Sequence, residues 1–185
     1  MAAAENQMSI HEKMMASRAL ASRIRRYHTI PVLHQETVGE HSHRVCTLYL
    51  QLFGTPRVEV LEYIMYHDMG EISAGDLPFN AKRDAPGIKD YMDKAEAAGL
   101  RRMNIKMPEL TEVEYARFKL CDMLQMLEFA RVEMAMGNQY ARSVQDNILV
   151  ALDSYKLLPS HQVKSGILVI MCSTPIQRIE DGEEA

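Results

Sequence analysis

The chain has 185 residues, 47% of them hydrophobic and 25% charged, with a net charge of −4. That length suits one domain whose core needs no disulfides or other staples, and the acidic balance argues against a nucleic-acid polymer as partner. Cys46, Cys121 and Cys172 are far apart and form no CxxC pair, so they read as small hydrophobes in a reducing compartment. No apolar run approaches the roughly 18 residues of a membrane span. The opening MAAAENQMSIHEK lacks the charged-then-apolar order of a secretion signal, so the expected location is cytoplasmic. Fourteen methionines and no tryptophan predict a helical core packed with flexible side chains.

Hydrophobic periodicity predicts helices throughout. The first spans about Ser9 to Tyr27, with Ile10, Met14, Leu20 and Ile24 as an imperfect apolar stripe. A loop holding Pro31 follows. The second helix opens at a capping box, Thr37 with Glu40 three residues on. It carries Val45, Leu48 and Leu52 on its apolar face and stops at Phe53-Gly54. Thr55-Pro56 reads as the start of a third helix, which runs through Val60, Leu61, Ile64 and Met65 to His67-Asp68 and ends near Gly70. The segment GEISAGDLPFNAK reads as loop, and a weaker fourth helix covers about Ile88 to Met103. Thr111 and Glu114 form a second capping box, opening a fifth helix that lasts to about Met136 and stops at Gly137. Asn138 is placed to cap a sixth helix with Tyr140, Val144, Ile148 and Leu152. The run GILVIM near the C-terminus is taken as helix, although periodicity alone also fits a strand. Residues 178–185 form an acidic tail that is expected to fray, leaving 1–177 as one domain.

Four ionisable residues conflict with this pattern. His41 lies one turn before Val45 on the second helix's apolar stripe, His67-Asp68 close the third helix, and Asp122 sits among Phe118, Met126 and Phe129. A buried ionisable group is costly unless paired or metal-bound. One cation shared by two imidazoles and two carboxylates resolves all four conflicts, and bundle cores commonly hold metals this way. Adjacent residues on a helix point about 100° apart, so His67 and Asp68 converge only near a helix end, where Gly70 places it. The nitrogen and oxygen donors, without thiolate, suit zinc, manganese, cobalt, iron or nickel better than calcium. Singly, a histidine on an apolar face is more often a satisfied core residue; His28, His34 and His43 read as loop or surface groups.

The order Glu40-His41-Ser42, then Tyr66 to Glu71 (YHDMGE), then Gly75 to Pro78 (GDLP), then Leu120 to Asp122 (LCD) resembles the HD-domain metal-dependent phosphohydrolases. Within them it is most similar to the small deoxynucleotide hydrolases, a group that includes bacterial 5′-deoxynucleotidases and phage dATP triphosphohydrolases. The resemblance covers roughly Ile24 to Glu128. It implies an all-α, single-domain HD-type bundle of about six or seven helices. It implies His41, His67, Asp68 and Asp122 as metal ligands and Glu71 as catalytic acid/base, with Asp76 as a second acidic residue near the substrate. Arg26, Lys82 and Lys119 match basic positions toward phosphate. Tyr27, Thr29, Phe79 and Asn80 are expected to shape the base pocket, without matching any one family pattern in full. It further implies one divalent ion per site (cobalt, manganese or zinc), with room for a magnesium-like ion on the substrate phosphates, and a homo-oligomer, dimer or hexamer.

Many bacterial members have tryptophan where this chain has Tyr27. The run from Arg26 to Pro31 and the short connection from Asp76 to Asp122 are closer to phage-encoded members, for which the location becomes host cytoplasm. The first expectation is therefore a dATP triphosphohydrolase releasing deoxynucleoside and tripolyphosphate. The alternative is a 5′-deoxynucleotidase acting on monophosphates, and a further one is a non-catalytic nucleotide-binding module. A cyclic-nucleotide or signalling-nucleotide phosphodiesterase is a more distant alternative.

Overall fold

The computed structural model describes residues 9–76, 85 and 87–173. Seven α-helices are present among them: α1 (Ile10–Ala21), α2 (Val38–Phe53), α3 (Val58–Tyr66), α4 (Ile88–Arg102), α5 (Glu112–Ala135), α6 (Ala141–Asp153) and α7 (Ser160–Ser173). A 3-10 turn, Met69–Ser73, lies between α3 and α4. The GILVIM run is helical, inside α7. The acidic tail 178–185 lies outside the described residues.

The two capping boxes form as the sequence predicts. Thr37 accepts from the Glu40 amide while Glu40 accepts from the Thr37 amide, and Thr111 with Glu114 does the same for α5. A third box, Ser9 with Glu12, opens α1. Two starts differ from expectation. Helix α3 begins after Arg57 without a side-chain cap, so Thr55-Pro56 precedes it rather than capping it. Before α6 the N-cap position is Tyr140, and Asn138, two residues upstream, accepts from the Tyr140 amide.

Helix α5 is the central element. It is buried nearly all round, from Ala116 to Glu133, and packs against α2, α6 and α7. Around it Val45, Leu48, Ile64, Phe118, Leu124, Leu127, Leu152 and Ile170 form the main core. Branched and aromatic side chains fill this core. Among the described residues the buried methionines are Met69, Met92 and Met103, whereas Met15, Met65, Met136 and Met171 are exposed. The expected methionine-packed interior is therefore not what holds the bundle. Helix α1 is also shorter than expected. It ends at Ala21, with Ser17 and Ala21 buried while Ile10 and Leu20 face outward.

Beyond α1 the backbone turns back on itself. Arg25 and Thr37 form an isolated antiparallel bridge, closing the loop between them. Glu133 of α5 pins that loop by accepting from the amides of Leu33 and His34 at 2.7 and 2.8 Å. The 3-10 turn packs on α4 through two glycines. A Cβ on Gly99 would lie 2.4 Å from the Gly70 carbonyl oxygen, so only glycine permits this approach. That contact seats the turn carrying Asp68 and Glu71.

Candidate metal centre

Three separate elements bring the predicted ligands together. The capping box sets the start of α2, so His41 falls in its first turns, fully buried beside Val45 and Leu48. Helix α3 ends at Tyr66 and the backbone changes to the 3-10 turn, with Asp68 at φ −102°, ψ 0°. This break lets His67 and Asp68 face one point, which adjacent positions on an unbroken helix do not do. Asp122 projects from the middle of α5.

The two imidazole Nε2 atoms lie 3.2 Å apart. His41 Nε2 is 3.1 Å from Asp122 Oδ1 and 3.6 Å from Asp68 Oδ2. His67 Nε2 is 3.3 Å from Asp68 Oδ2. Donor atoms of His41, His67 and Asp122 all fall within 4.8 Å of one another, close enough for one ion.

The hydrogen bonds behind the rings decide what this cluster accepts. His67 Nδ1 faces the Ile64 carbonyl oxygen at 2.7 Å, an atom that only accepts, so Nδ1 carries the proton. His41 Nδ1 faces Gln125 Oε1 at 2.6 Å, and the amide nitrogen of Gln125 donates to Glu36 Oε1 at 2.6 Å. His41 Nδ1 must therefore donate as well. Both Nε2 lone pairs then point at each other and at two carboxylate oxygens. Asp68 Oδ2 takes a hydrogen bond from Arg26 Nη1 and Asp122 Oδ2 takes one from Lys119 Nζ, but the two Nε2 atoms and Asp122 Oδ1 still face a common point that a cation would fill. The residues present thus fit a divalent ion with mixed nitrogen and oxygen ligands.

Burial lowers the His67 imidazole pKa, yet Asp68 and Asp122 raise it above its ordinary value, so the protein's own charges favour positive charge at this point. Burial would push the Asp122 carboxyl up, but Lys119 and the two imidazoles hold it well below the ordinary carboxylate range. Asp68 is likewise depressed against burial, by His67, Arg26 and His41. Both carboxyls therefore stay anionic. Glu71 behaves oppositely: burial first, then the charges of Asp68 and Asp76, push its carboxyl up to about 9. Its Oε2 is buried without a hydrogen-bond partner among the described residues.

The other predicted residues fall in different places. Lys119 donates to Asp122 Oδ2 at 2.5 Å with its side chain 36% exposed, so it borders both the cluster and solvent. Arg26 is turned inward and buried, with Nη1 donating to Asp68 Oδ2 at 2.6 Å and Nε 3.5 Å from Glu36 Oε2. Burial opposes its charge, yet Asp68 and its neighbours raise the guanidinium pKa above its ordinary value. Asp76 lies near enough for its charge to act on Arg26 and Glu71. Tyr27 adopts φ 55°, and its ring stacks on Phe129 with centroids 4.3 Å apart. Thr29 is exposed in the following loop. Phe79, Asn80 and Lys82 lie outside the described residues. His28, His34 and His43 are exposed, as their loop and surface reading expects.

Sequence reasoning missed Gln125 and Glu36, both fully buried beneath His41. Gln125 carried a readable signal: it lies three residues after Asp122 in an otherwise apolar stretch, hence on the same side of α5. Glu36 carried none, since a carboxylate just before a helix cap reads as a solvated loop charge.

Comparison with known proteins agrees with this geometry. Residues 14–163 match the family model described as 5′-deoxynucleotidase YfbR-like. A 5′-deoxynucleotidase of Vibrio cholerae is 29% identical over 123 residues, which cover 60% of this chain and 62% of the relative; the match thus spans under two thirds of that protein's length. The fold is shared with the HD phosphohydrolase DatZ of cyanophage S-2L, whose structure holds dA and one catalytic Zn2+ ion. The TM-score is 0.67 at 20% identity, covering 86% of this chain and 95% of that one. With the match running from α1 into α7, the chain belongs to the 5′-deoxynucleotidase YfbR-like family.

Proposed function

We propose that this protein is a metal-dependent phosphohydrolase of 2′-deoxynucleotides, acting on deoxynucleoside monophosphates to release the deoxynucleoside and phosphate. One observation carries the reading: two imidazole nitrogens and two carboxylate oxygens from α2, the α3 end and α5 converge, with His41 Nε2 3.1 to 3.6 Å from the other three. In the proposal His41, His67, Asp68 and Asp122 hold a divalent ion. When bound, such an ion supplies Lewis-acid activation of water and of a phosphoryl oxygen.

The chain's own residues supply the rest. Glu71 holds a proton at neutral pH on a carboxyl near Asp68, and it serves as the acid/base that manages the proton of the attacking water or the leaving alkoxide. Lys119, bordering solvent and cluster, offers its ammonium to a phosphate whose charge spreads over the equatorial oxygens. Lys82 is assigned the same task. Arg26 acts through Asp68, steadying that carboxylate from behind. Asp76 accompanies Glu71 near the substrate, and Tyr27, Thr29, Phe79 and Asn80 are assigned to the nucleoside side.

The monophosphate reading is supported by the family and by the name of the Vibrio relative. It displaces the first expectation, a dATP triphosphohydrolase, which now stands second. That second reading keeps the support of the Arg26-to-Pro31 run, the short connection from Asp76 to Asp122, and the dA bound to the phage protein of the same fold. Incubating the protein with each dNMP and each dNTP plus Mn2+ or Co2+, then separating the products, tests both. Orthophosphate from dNMP with dNTP untouched is the expected result. Tripolyphosphate from dATP with dNMP untouched would reverse the ranking.

A further inference from the structure

Beneath the metal cluster lies a buried polar chain that the proposed chemistry does not use. Gln125 and Glu36 are both 0% exposed. Gln125 Oε1 accepts from His41 Nδ1 at 2.6 Å, and Gln125 Nε2 donates to Glu36 Oε1 at 2.6 Å. Glu36 Oε2 lies 3.5 Å from Arg26 Nε, and Arg26 Nη1 donates to Asp68 Oδ2 at 2.6 Å. The path therefore starts at one candidate ligand, His41, and returns to another, Asp68. Glu36 also lines a small opening shared with His34, Glu40, His43 and Arg44, with Arg44 Nη1 3.7 Å from its Oε1.

An amide can present either end to a histidine, and the two ends have opposite effects. An oxygen facing Nδ1 keeps the proton there and leaves the Nε2 lone pair free. An NH2 group facing Nδ1 drives the proton to Nε2 and removes the lone pair from the cluster. Gln125 by itself has no preference between these orientations. Glu36 creates one, because a carboxylate accepts and does not donate, so it takes the NH2 end and leaves oxygen for His41.

We infer that Gln125, oriented by Glu36, is a positioning residue that fixes His41 in the Nδ1–H tautomer and so presents its Nε2 to the metal. The inference rests on the metal reading above. Groups behind a ligand of this kind typically alter metal affinity about 10- to 100-fold when removed.

Two measurements on the full chain test it. The first is Co2+ affinity by chelator competition. Gln125→Leu is expected to weaken binding about 10- to 100-fold. The exchanged pair Gln125→Glu with Glu36→Gln, which keeps an acceptor oxygen toward His41 and an amide donor behind it, is expected to recover most of the loss. Should Gln125→Leu fail to fold, Gln125→Met, closer in shape and still without a strong acceptor, takes its place. The second measurement is the His41 tautomer in the metal-free protein, read from 15N imidazole shifts. The wild type should show Nδ1–H, with Nε2–H gaining in the leucine or methionine variant and in Glu36→Leu. Unchanged Co2+ affinity with an unchanged tautomer overturns the inference. A wild type that binds no Co2+ overturns the metal reading instead, and the tautomer measurement still decides the role of Gln125.

Discussion

Glu71 carries the sharpest residue-scale consequence. Its carboxyl is raised to about 9 by burial and by Asp68 and Asp76, so at neutral pH glutamine copies its shape and charge. Glu71→Gln should leave the melting temperature at pH 7 and the metal content unchanged while kcat falls by roughly 10²–10⁴, with a smaller effect on KM. Steady-state kinetics beside metal analysis checks this. A variant that loses metal together with activity would make Glu71 a structural group rather than an acid/base. Arg26 shows how far a residue's type leaves its task open. In the sequence it is a cation suited to phosphate, and in the fold it is buried between two carboxylates. Tyr27 is comparable: an aromatic expected at the nucleoside has one ring face taken by Phe129.

At the scale of elements, the helix starts are local chemistry and were legible as such. Thr37-Glu40 and Thr111-Glu114 close their boxes within four residues, so no distant contact was needed to read them. Glu114 also receives Arg57 from the start of α3, at 2.7 Å to Nε. Its pKa falls to about 2, first through the hydrogen bonds from Arg57 and then through the Thr111 amide. A carboxyl depressed in the folded state stabilises above its unfolded value, near 4.5, and that contribution is lost as pH falls toward 2. Glu114→Gln, which keeps an acceptor for the cap, should melt below the wild type at pH 7. The gap should close between about pH 4.5 and 2 and narrow with added salt, because the pair is near the surface. Melting curves across that range at two ionic strengths measure it. The missed α3 start belongs here too: Thr55-Pro56 has the composition of a cap, but Arg57 is committed to Glu114 and Glu109 of the α5 region, and the helix begins only after it.

For the whole molecule, the centre gathers two imidazoles and two carboxylates from α2, the α3 end and α5 around one point. A bound ion should therefore stabilise the fold by linkage, by about 2.7 kcal/mol at a hundredfold excess over Kd. For a chain of this size that raises Tm by roughly 5–10 °C. Calorimetry with EDTA and then with added Mn2+ or Co2+ should show the shift, and His41→Ala or Asp122→Ala should abolish it. The seven helices, their order and the four side chains that converge could be read from the sequence, because periodicity, caps and a polar residue on an apolar stripe are signals within a few residues of one another. The inward turn of Arg26, the stacking of Tyr27, the glycine contact between Gly70 and Gly99, and the Glu36–Gln125 support under His41 were decided only by the tertiary structure. Each joins residues about 30 to 100 positions apart or turns on which neighbour a side chain finds, and no local pattern encodes such a meeting.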